Sequence, residues 1–255
     1  MATVDNLKNQ LQTKGENKPA KADSMTVMLK KMSKEIERAL PAHINSERFQ
    51  RVALTAFNGN PKLQACDPVS FIAAMMQSAQ LGVEPNTPLG QAYLIPYGNQ
   101  VQFQISYKGL LELAQRSGQF KTIYAHPVYE NDEFEVVYGL DQKLIHKPTF
   151  TNRGEVIGYY AVYKLLNGGE SFFFMPKEDV LNHAKSKSKT FKSGPWQTDF
   201  DAMALKTVIK QLLKYAPLNV ELAKTISNDE SVKKEINEDM DLVKNEILEA
   251  EYKEV

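Results

Sequence analysis

The hydrophobic period of this chain changes twice, and this constrains the fold more than any other feature. Up to residue 82, apolar side chains recur at the helical spacing of three and four positions. Between residues 92 and 175 they recur mainly at every second position, which is typical of strands with one buried face. After Pro176 the helical spacing returns. Helices, then strands, then helices again predict an α+β fold with an antiparallel sheet packed against helices.

Turn residues divide the strand-rich part of the chain. Gly98-Asn99 predicts a tight hairpin between strands at 92–97 and 101–105, and Asn167-Gly168-Gly169 predicts the last hairpin. Between them, the pattern indicates a meander of three to four strands over residues 121–175. We expect helices before the first hairpin, one from Ser106 to Ser117, and two more after Pro176.

Charge divides the chain into three parts. Residues 1–23 are polar and predicted to be disordered, residues 24–222 form the predicted folded core, and residues 223–255 form an acidic tail. The formal net charge of zero conceals a net −6 in residues 221–255 and therefore +6 in the remainder. The tail carries one amphipathic helical face, which indicates a helix that docks a partner or self-associates. A basic body with an acidic tail is the asymmetry expected of a protein that binds a polyanion.

Two groups of lysines lie at the end of the core. Residues 180–198 contain four lysines and no Asp or Glu, and the following helix has three lysines spaced four apart, so these three share one face. The loop group consists of Lys185, Lys187, Lys189 and Lys192, and the helix group of Lys206, Lys210 and Lys214. A lysine-serine loop alone is more often a solvated surface, but a lysine row without nearby acids favours an external polyanion, nucleic acid above all.

The single tryptophan of the chain, Trp196, lies between these two groups, followed by Gln197. Its indole has two equally good explanations, which are stacking on a base or sugar of a bound strand and filling the core beneath the loop. Three further cations lie near the glutamine-rich strand at residues 100–104, namely Lys108, Arg116 and Lys121. A self-contained ion-pair ladder around Glu112 is the alternative to a second phosphate-binding patch there.

Other chemistries find little support. The only cysteine, Cys66, excludes an internal disulfide and a Cys-based zinc site, and the four histidines form no metal-binding motif. No phosphate-binding loop of the ATPase type occurs, and no apolar run is long enough to cross a membrane. The best candidate for catalysis is a metal-dependent nuclease site at Asp132, Glu133 and Glu135, although a charged turn that enters a strand explains these residues better. We therefore predict no catalytic residue and no metal site.

A series of motifs in consistent order resembles the RecT family of phage and prophage annealing proteins, which are relatives of Redβ. The resemblance covers roughly residues 30–220. It is carried by Gln80-Leu-Gly-Val-Glu-Pro85, Leu94-Ile-Pro-Tyr-Gly98, Ser106-Tyr-Lys-Gly109, Ala114-Gln-Arg-Ser-Gly118, His146-Lys-Pro148, Gly194-Pro-Trp196 and Met203-Ala-Leu-Lys206. A shared series of this length is far more specific than one short motif.

The resemblance implies a recombinase that needs no ATP, coats single-stranded DNA and pairs it with a complementary strand. It implies rings or helical filaments, a basic groove that runs across protomers, and a tail that contacts a 5′→3′ exonuclease or a single-stranded-DNA-binding protein. It places the protein in the cytoplasm of a bacterial host, with no cofactor required and Mg²⁺ stimulating, if at all, through the DNA phosphates. The implied DNA contacts are Lys108, Arg116, Lys121, the lysines of residues 185–192, Trp196, Gln197, Lys206, Lys210 and Lys214.

Annealing explains why lysines rather than base-reading groups are present. Contacts with phosphates leave the base edges free for the incoming strand and make binding strongly dependent on salt. Seven phosphate contacts on a single strand correspond to a log–log salt slope of about −5 per protomer. Two other functions stay open from the sequence: the metal-dependent nuclease, which would degrade DNA, and a passive coat, which would retard pairing.

Overall fold

A computed structural model of the protein describes residues 21–42, 44–188, 191–192, 194–216, 229 and 232–233. It confirms the α+β fold with antiparallel sheets. Of the predicted tails, the described residues are 21–23, which begin the first helix, and Asp229, Val232 and Lys233. None of the helices in this part of the chain is long and apolar enough to span a bilayer.

Five helices form the N-terminal part of the described chain, and capping side chains start the last three. Asp67 accepts a hydrogen bond from the Ser70 N–H at 2.9 Å, and Gly82 ends the last helix with a φ of +60°. The helix that the spacing predicts from Met25 to Leu40 is interrupted at Met32. The five are α1 (Lys21–Lys31), α2 (Ser33–Ala39), α3 (Ser46–Asn58), α4 (Pro61–Ala65) and α5 (Pro68–Leu81).

The predicted hairpin is present and leads directly into a helix. Strands β1 (Ala92–Tyr97) and β2 (Gln100–Ile105) pair antiparallel around Gly98, whose φ is +58°. The next helix, α6 (Tyr107–Arg116), is capped by Ser106. A Cβ at Gly109 would overlap the Gln91 carbonyl oxygen and lie 2.7 Å from Cγ1 of Ile105. Only glycine lets α6 start this close to the hairpin.

The remaining strands form a three-stranded sheet and a second hairpin. The sheet has the order β3 (Phe120–Tyr129), β6 (Val156–Leu165), β7 (Glu170–Pro176). Strands β4 (Glu133–Val137) and β5 (Lys143–Lys147) pair only with each other among the described residues. The meander predicted from the sequence is thus divided, because β3 pairs with β6 across the inserted β4–β5 hairpin.

Three C-terminal helices complete the described fold: α7 (Lys177–Lys187), α8 (Pro195–Thr198) and α9 (Phe200–Leu213). Helix α9 lies against the three-stranded sheet and against α6. Its apolar face, with Val208, Ile209 and Leu212, is buried. The hydroxyl of Tyr159 on β6 donates a hydrogen bond to Asp201 in the first turn of α9, which fixes the helix on the sheet. This packing turns the lysine row of α9 toward α7 and the β1–β2 hairpin.

Candidate nucleic-acid interface

A cleft of about 310 Å³ separates the end of α7 from α9. Three elements supply its walls, since α8 closes one end. The cleft brings Lys187 of the predicted loop group together with all three lysines of the α9 row. Its lining residues are His183, Ala184, Lys187, Ser188, Trp196, Met203, Lys206, Thr207, Lys210, Gln211 and Lys214.

A second cleft, of about 540 Å³, lies between α9 and the β1–β2 hairpin. The start of α6 supplies Lys108 to this cleft, and β2 supplies Gln104. Met203 and Lys206 line both clefts, so the two share a wall on α9. Together they form one surface, here called the groove, which contains Lys108, Lys187, Lys206, Lys210 and Lys214.

Lys206 and Lys210 have a partner that the local sequence does not contain. The Nζ atoms of both lysines lie 2.8 Å from Oδ2 of Asp229, and the Ile105 N–H donates to Oδ1 at 3.0 Å. The side chain of Lys206 is 4% exposed and that of Asp229 is fully buried. The sequence predicts an external anion for the whole α9 row, and in this structure two of its lysines already have an anionic partner within the chain.

The carboxyl of Asp229 is ionised in this setting. Burial by itself raises the pKa of Asp229, but the charges and hydrogen bonds of Lys206 and Lys210 outweigh burial and lower it. The three groups together carry one net positive charge at the wall shared by the two clefts. The fold thus leaves the groove basic while satisfying its most buried ammonium group.

The other cations of the groove are accessible. Lys108, Lys187 and Lys214 are exposed, and within the described part of the chain none of them forms an ion pair. Lys214 donates a hydrogen bond to Gln211 at 2.8 Å. Lys185 and Lys192 are exposed but line neither cleft, and Lys189 lies outside the described residues. The loop group therefore contributes one described lysine, Lys187, to the groove itself.

Trp196 lines the first cleft but is only 6% exposed. Its ring packs edge-on against Phe200, with a centroid distance of 5.5 Å. Of the two explanations left open by the sequence, this geometry favours the core-filling one, with one edge of the indole reaching the cleft. Gln197 is exposed, and its Nε2 donates to the Phe191 carbonyl at 2.8 Å, which holds the loop in place.

Arg116 and Lys121 lie away from the groove. The Arg116 guanidinium donates hydrogen bonds to the carbonyl oxygens of Leu81 and Gly82, where α5 ends. Backbone carbonyls at the end of a helix lack partners within the helix, so this arginine caps α5. Lys121 is exposed at the start of β3 and lines neither cleft. The second cationic patch is therefore reduced to Lys108.

The candidate nuclease residues are occupied by other contacts. The side chain of Asp132 is fully buried and accepts hydrogen bonds from the Arg153 guanidinium and from the backbone N–H groups of Tyr129 and Thr149. It also contacts His146 Nε2 at 3.0 Å. Glu133 and Glu135 each pair with a lysine of β5. Among the described residues, no three side chains of the metal-binding types cluster closely enough to share an ion.

Two members of the groove escaped the sequence analysis. Tyr93 on β1 is 44% exposed and lines the second cleft. Its hydroxyl and the Lys108 side chain both lie next to Gly90. The alternation of β1, with Ala92 and Leu94 buried, contains the signal that would have placed Tyr93 outward. Asp229 had no such signal, because only the path of the chain brings it to Lys206.

A basic groove with accessible lysines from several elements, one exposed tyrosine and an amide is typical of proteins that bind an extended polyanionic strand. The comparisons with known proteins specify this class. Residues 47–243 match the RecT family. Protein RecT of Escherichia coli K12 is 39% identical over 230 residues, which cover 86% of this chain and 85% of that protein. The uncharacterized protein YqaK of Bacillus subtilis 168 is 33% identical over 256 residues, covering 98% and 88%.

The chain therefore belongs to the RecT family. Membership assigns it to the proteins of DNA recombination that bind single-stranded DNA and anneal strands. The family-level assignment also includes oligomerisation.

Proposed function

We propose that this protein anneals complementary DNA strands without ATP by holding one strand along the groove as part of a protein oligomer. The observation that carries the proposal is that Met203 and Lys206 line both clefts, so the two clefts lie side by side on α9. Cations from α6, α7 and α9 border the two clefts. A linear polyanion fits such an arrangement better than a compact anion, because phosphates recur along a strand.

The chemistry of the groove supports contact with the backbone of the strand. Ammonium groups neutralise phosphates without selecting a base, which leaves the base edges free to pair. Tyr93 offers one exposed ring beside Lys108 for stacking on a base, again without sequence preference. Lys121, Lys185 and Lys192 lie outside the two clefts, where their charges contribute long-range attraction rather than direct contact. Gln197 also lies outside the clefts and carries no charge.

The wider assignments belong to the same proposal. Protomers would line up as a ring or a helical filament and so make the groove continuous, with many weak contacts adding along the strand. The acidic tail would recruit a 5′→3′ exonuclease or a single-stranded-DNA-binding protein of the bacterial cytoplasm. Mg²⁺ would act on the DNA phosphates. Electron microscopy with one oligonucleotide, and then with its complement added, tests the assembly.

The groove is tested by the double variant Lys210→Ala/Lys214→Ala. If both lysines contact phosphates, the variant should lose about 1.4 from the magnitude of the log–log salt slope of single-strand binding. The annealing rate of complementary oligonucleotides, followed by fluorescence energy transfer, should fall with it. The matched control is Lys143→Ala/Lys147→Ala, which removes two exposed lysines from the β4–β5 hairpin outside the groove.

Each rival function predicts a different result in these experiments. If Lys210→Ala/Lys214→Ala had the same annealing rate and salt slope as the control variant, the assignment of the groove as the DNA-binding site would be refuted. Slower pairing with the protein than without it would indicate a passive coat. Shortening of labelled strands in Mg²⁺ would indicate the nuclease, which the contacts of Asp132 argue against.

A further inference from the structure

Asp229 belongs to the acidic end of the chain, yet its carboxylate lies within the basic body. Its partners Ile105 and Lys206 line the second cleft, and Lys206 and Lys210 line the first. The carboxylate is thus bound at the junction of the two clefts. A strand that occupied both clefts would lie next to this junction.

The donors around Asp229 form a binding site for an oxyanion. Two ammonium groups approach Oδ2 at 2.8 Å each, and one backbone N–H approaches Oδ1 at 3.0 Å. Ammonium groups and backbone N–H groups are the donors that proteins direct at phosphate oxygens. The three donors come from β2 and α9, so they remain in place whichever anion they bind.

We propose that Asp229 is an internal competitor of DNA, whose carboxylate occupies a phosphate site of the groove until a strand phosphate replaces it. The proposal rests on the proposed function and adds regulation of the same site. Charge balance supports it, because residues 221–255 carry net −6 and the rest of the chain +6. An acid of the tail is therefore attracted to the same cations as the polyanion that the body binds.

Direct replacement of the Asp229 carboxylate by a DNA phosphate is energetically more favourable than release of the carboxylate before the phosphate binds. Removing the carboxylate alone would take from the buried Lys206 ammonium group one anionic partner, and the loss of such a partner inside a protein is destabilising. When a phosphate enters as the carboxylate leaves, both ammonium groups keep an anionic partner throughout. Asp229 then regains hydration in solvent, which compensates for the lost contacts.

The neighbours of Asp229 couple this exchange to the tail. Val232 and Lys233 are each only 2% exposed, so the segment is docked at more than one residue. Release of Asp229 would loosen the attachment of Val232 and Lys233. Strand binding would then expose tail residues that are buried in the DNA-free protein, which links occupation of the groove to what the tail can contact.

The decisive variant is Asp229→Asn, which keeps the shape of the side chain and removes its charge. We expect it to bind a fluorescent oligo-dT at least ~10-fold more tightly than the wild type at low salt, because the competitor is weakened. The matched control is Glu230→Gln, which removes the same charge one residue along the chain and should bind within about twofold of the wild type. Adding Lys206→Met to Asp229→Asn should abolish the gain.

Hydrogen–deuterium exchange of the wild-type protein gives an independent test that does not depend on the folding of a variant. Oligo-dT should increase exchange at residues 229–233 and reduce it in the groove. Weaker or unchanged DNA binding by Asp229→Asn, or slower exchange at 229–233 with DNA, would overturn the inference and make Asp229 a structural clasp. In both cases the proposed function would stand, whereas it fails if the wild type does not bind the oligonucleotide at all.

Discussion

Lys206 and Lys108 illustrate how little the identity of a residue determines its role. Both are lysines of the groove, but Lys206 is buried against Asp229 while Lys108 is exposed. Arg116 adds a third case, since its charge is directed at the carbonyl end of α5. The same type of charge thus completes a helix end, a buried ion pair or an open groove, depending on which acceptors the fold brings near.

Arg116 and Lys108 are two cations of one helix, and we expect substitution of the first to affect stability and substitution of the second to affect DNA binding. Arg116→Met removes two hydrogen bonds to carbonyls at the end of α5 and should lower the free energy of unfolding by about 1–3 kcal/mol. Lys108→Met should leave that free energy unchanged and reduce the magnitude of the salt slope of DNA binding by about 0.7. Denaturant titration and fluorescence anisotropy measure the two effects. If instead Arg116→Met reduced the salt slope and left the free energy of unfolding unchanged, Arg116 would belong to the DNA-binding surface.

Among the elements, the β4–β5 hairpin depends most on tertiary contacts. Among the described residues its strands pair only with each other, and its base is held at Asp132 by Arg153, His146 and the backbone of Thr149. Aromatic contacts support the attachment, with Phe134 stacked on Tyr160 at 6.0 Å. An isolated two-stranded hairpin is marginal in water, so this buried network accounts for its fixed position.

The hairpin should make the protein sensitive to acid. Hydrogen bonds from Arg153 lower the pKa of Asp132 far below its ordinary value of 3.8; burial opposes this, while His146 and two backbone N–H groups reinforce it. A carboxyl whose pKa is lower in the folded state contributes stability above about pH 4, and this contribution is lost as the pH falls below that value. We expect the urea concentration at the unfolding midpoint of the wild type to decrease as the pH is lowered from 5 to 2.

The comparison variant is Asp132→Asn, which should be less stable at neutral pH and lose less stability on acidification. Asp141→Asn changes an exposed acid between β4 and β5 and should follow the wild type. Equal acid sensitivity of the wild type and Asp132→Asn would show that the network does not control it.

At the scale of the whole molecule, the net charge of zero hides the feature that matters. The basic body and the acidic end meet at Asp229, so part of the opposing charge is already paired inside one chain. Five of the described lysines line the groove, whereas the sequence alone suggests seven phosphate contacts from the loop and the α9 row. The structure therefore lowers the expected electrostatic contribution to DNA binding.

The salt dependence of DNA binding distinguishes five phosphate contacts from seven. Five phosphate contacts per protomer give a log–log slope of about −3.5 for a single strand, against about −5 for seven. The slope is obtained from fluorescence anisotropy with oligo-dT over a range of NaCl concentrations. Lys185→Ala/Lys192→Ala, which alters two exposed lysines outside the clefts, should leave the slope unchanged. A slope near −5 that falls in this variant would move the DNA contacts onto the loop.

The sequence by itself determined the local elements, because periodicity and turn chemistry act over a few residues. The hairpin at Gly98, the turn at Asn167-Gly168-Gly169 and the helix that follows Pro176 all lie where the pattern predicts them. The motifs that resemble the RecT family gave the class of function, which the comparisons confirm.

Only the tertiary structure decided how distant segments meet. The pairing of β3 with β6 spans the inserted hairpin, and Asp229 reaches Lys206 from 23 positions along the chain. Such contacts depend on the path of the chain and on which faces are buried, and neither is encoded in the spacing of neighbouring residues. That is why a lysine row which looks unpaired in the sequence contains a buried ion pair in the folded protein.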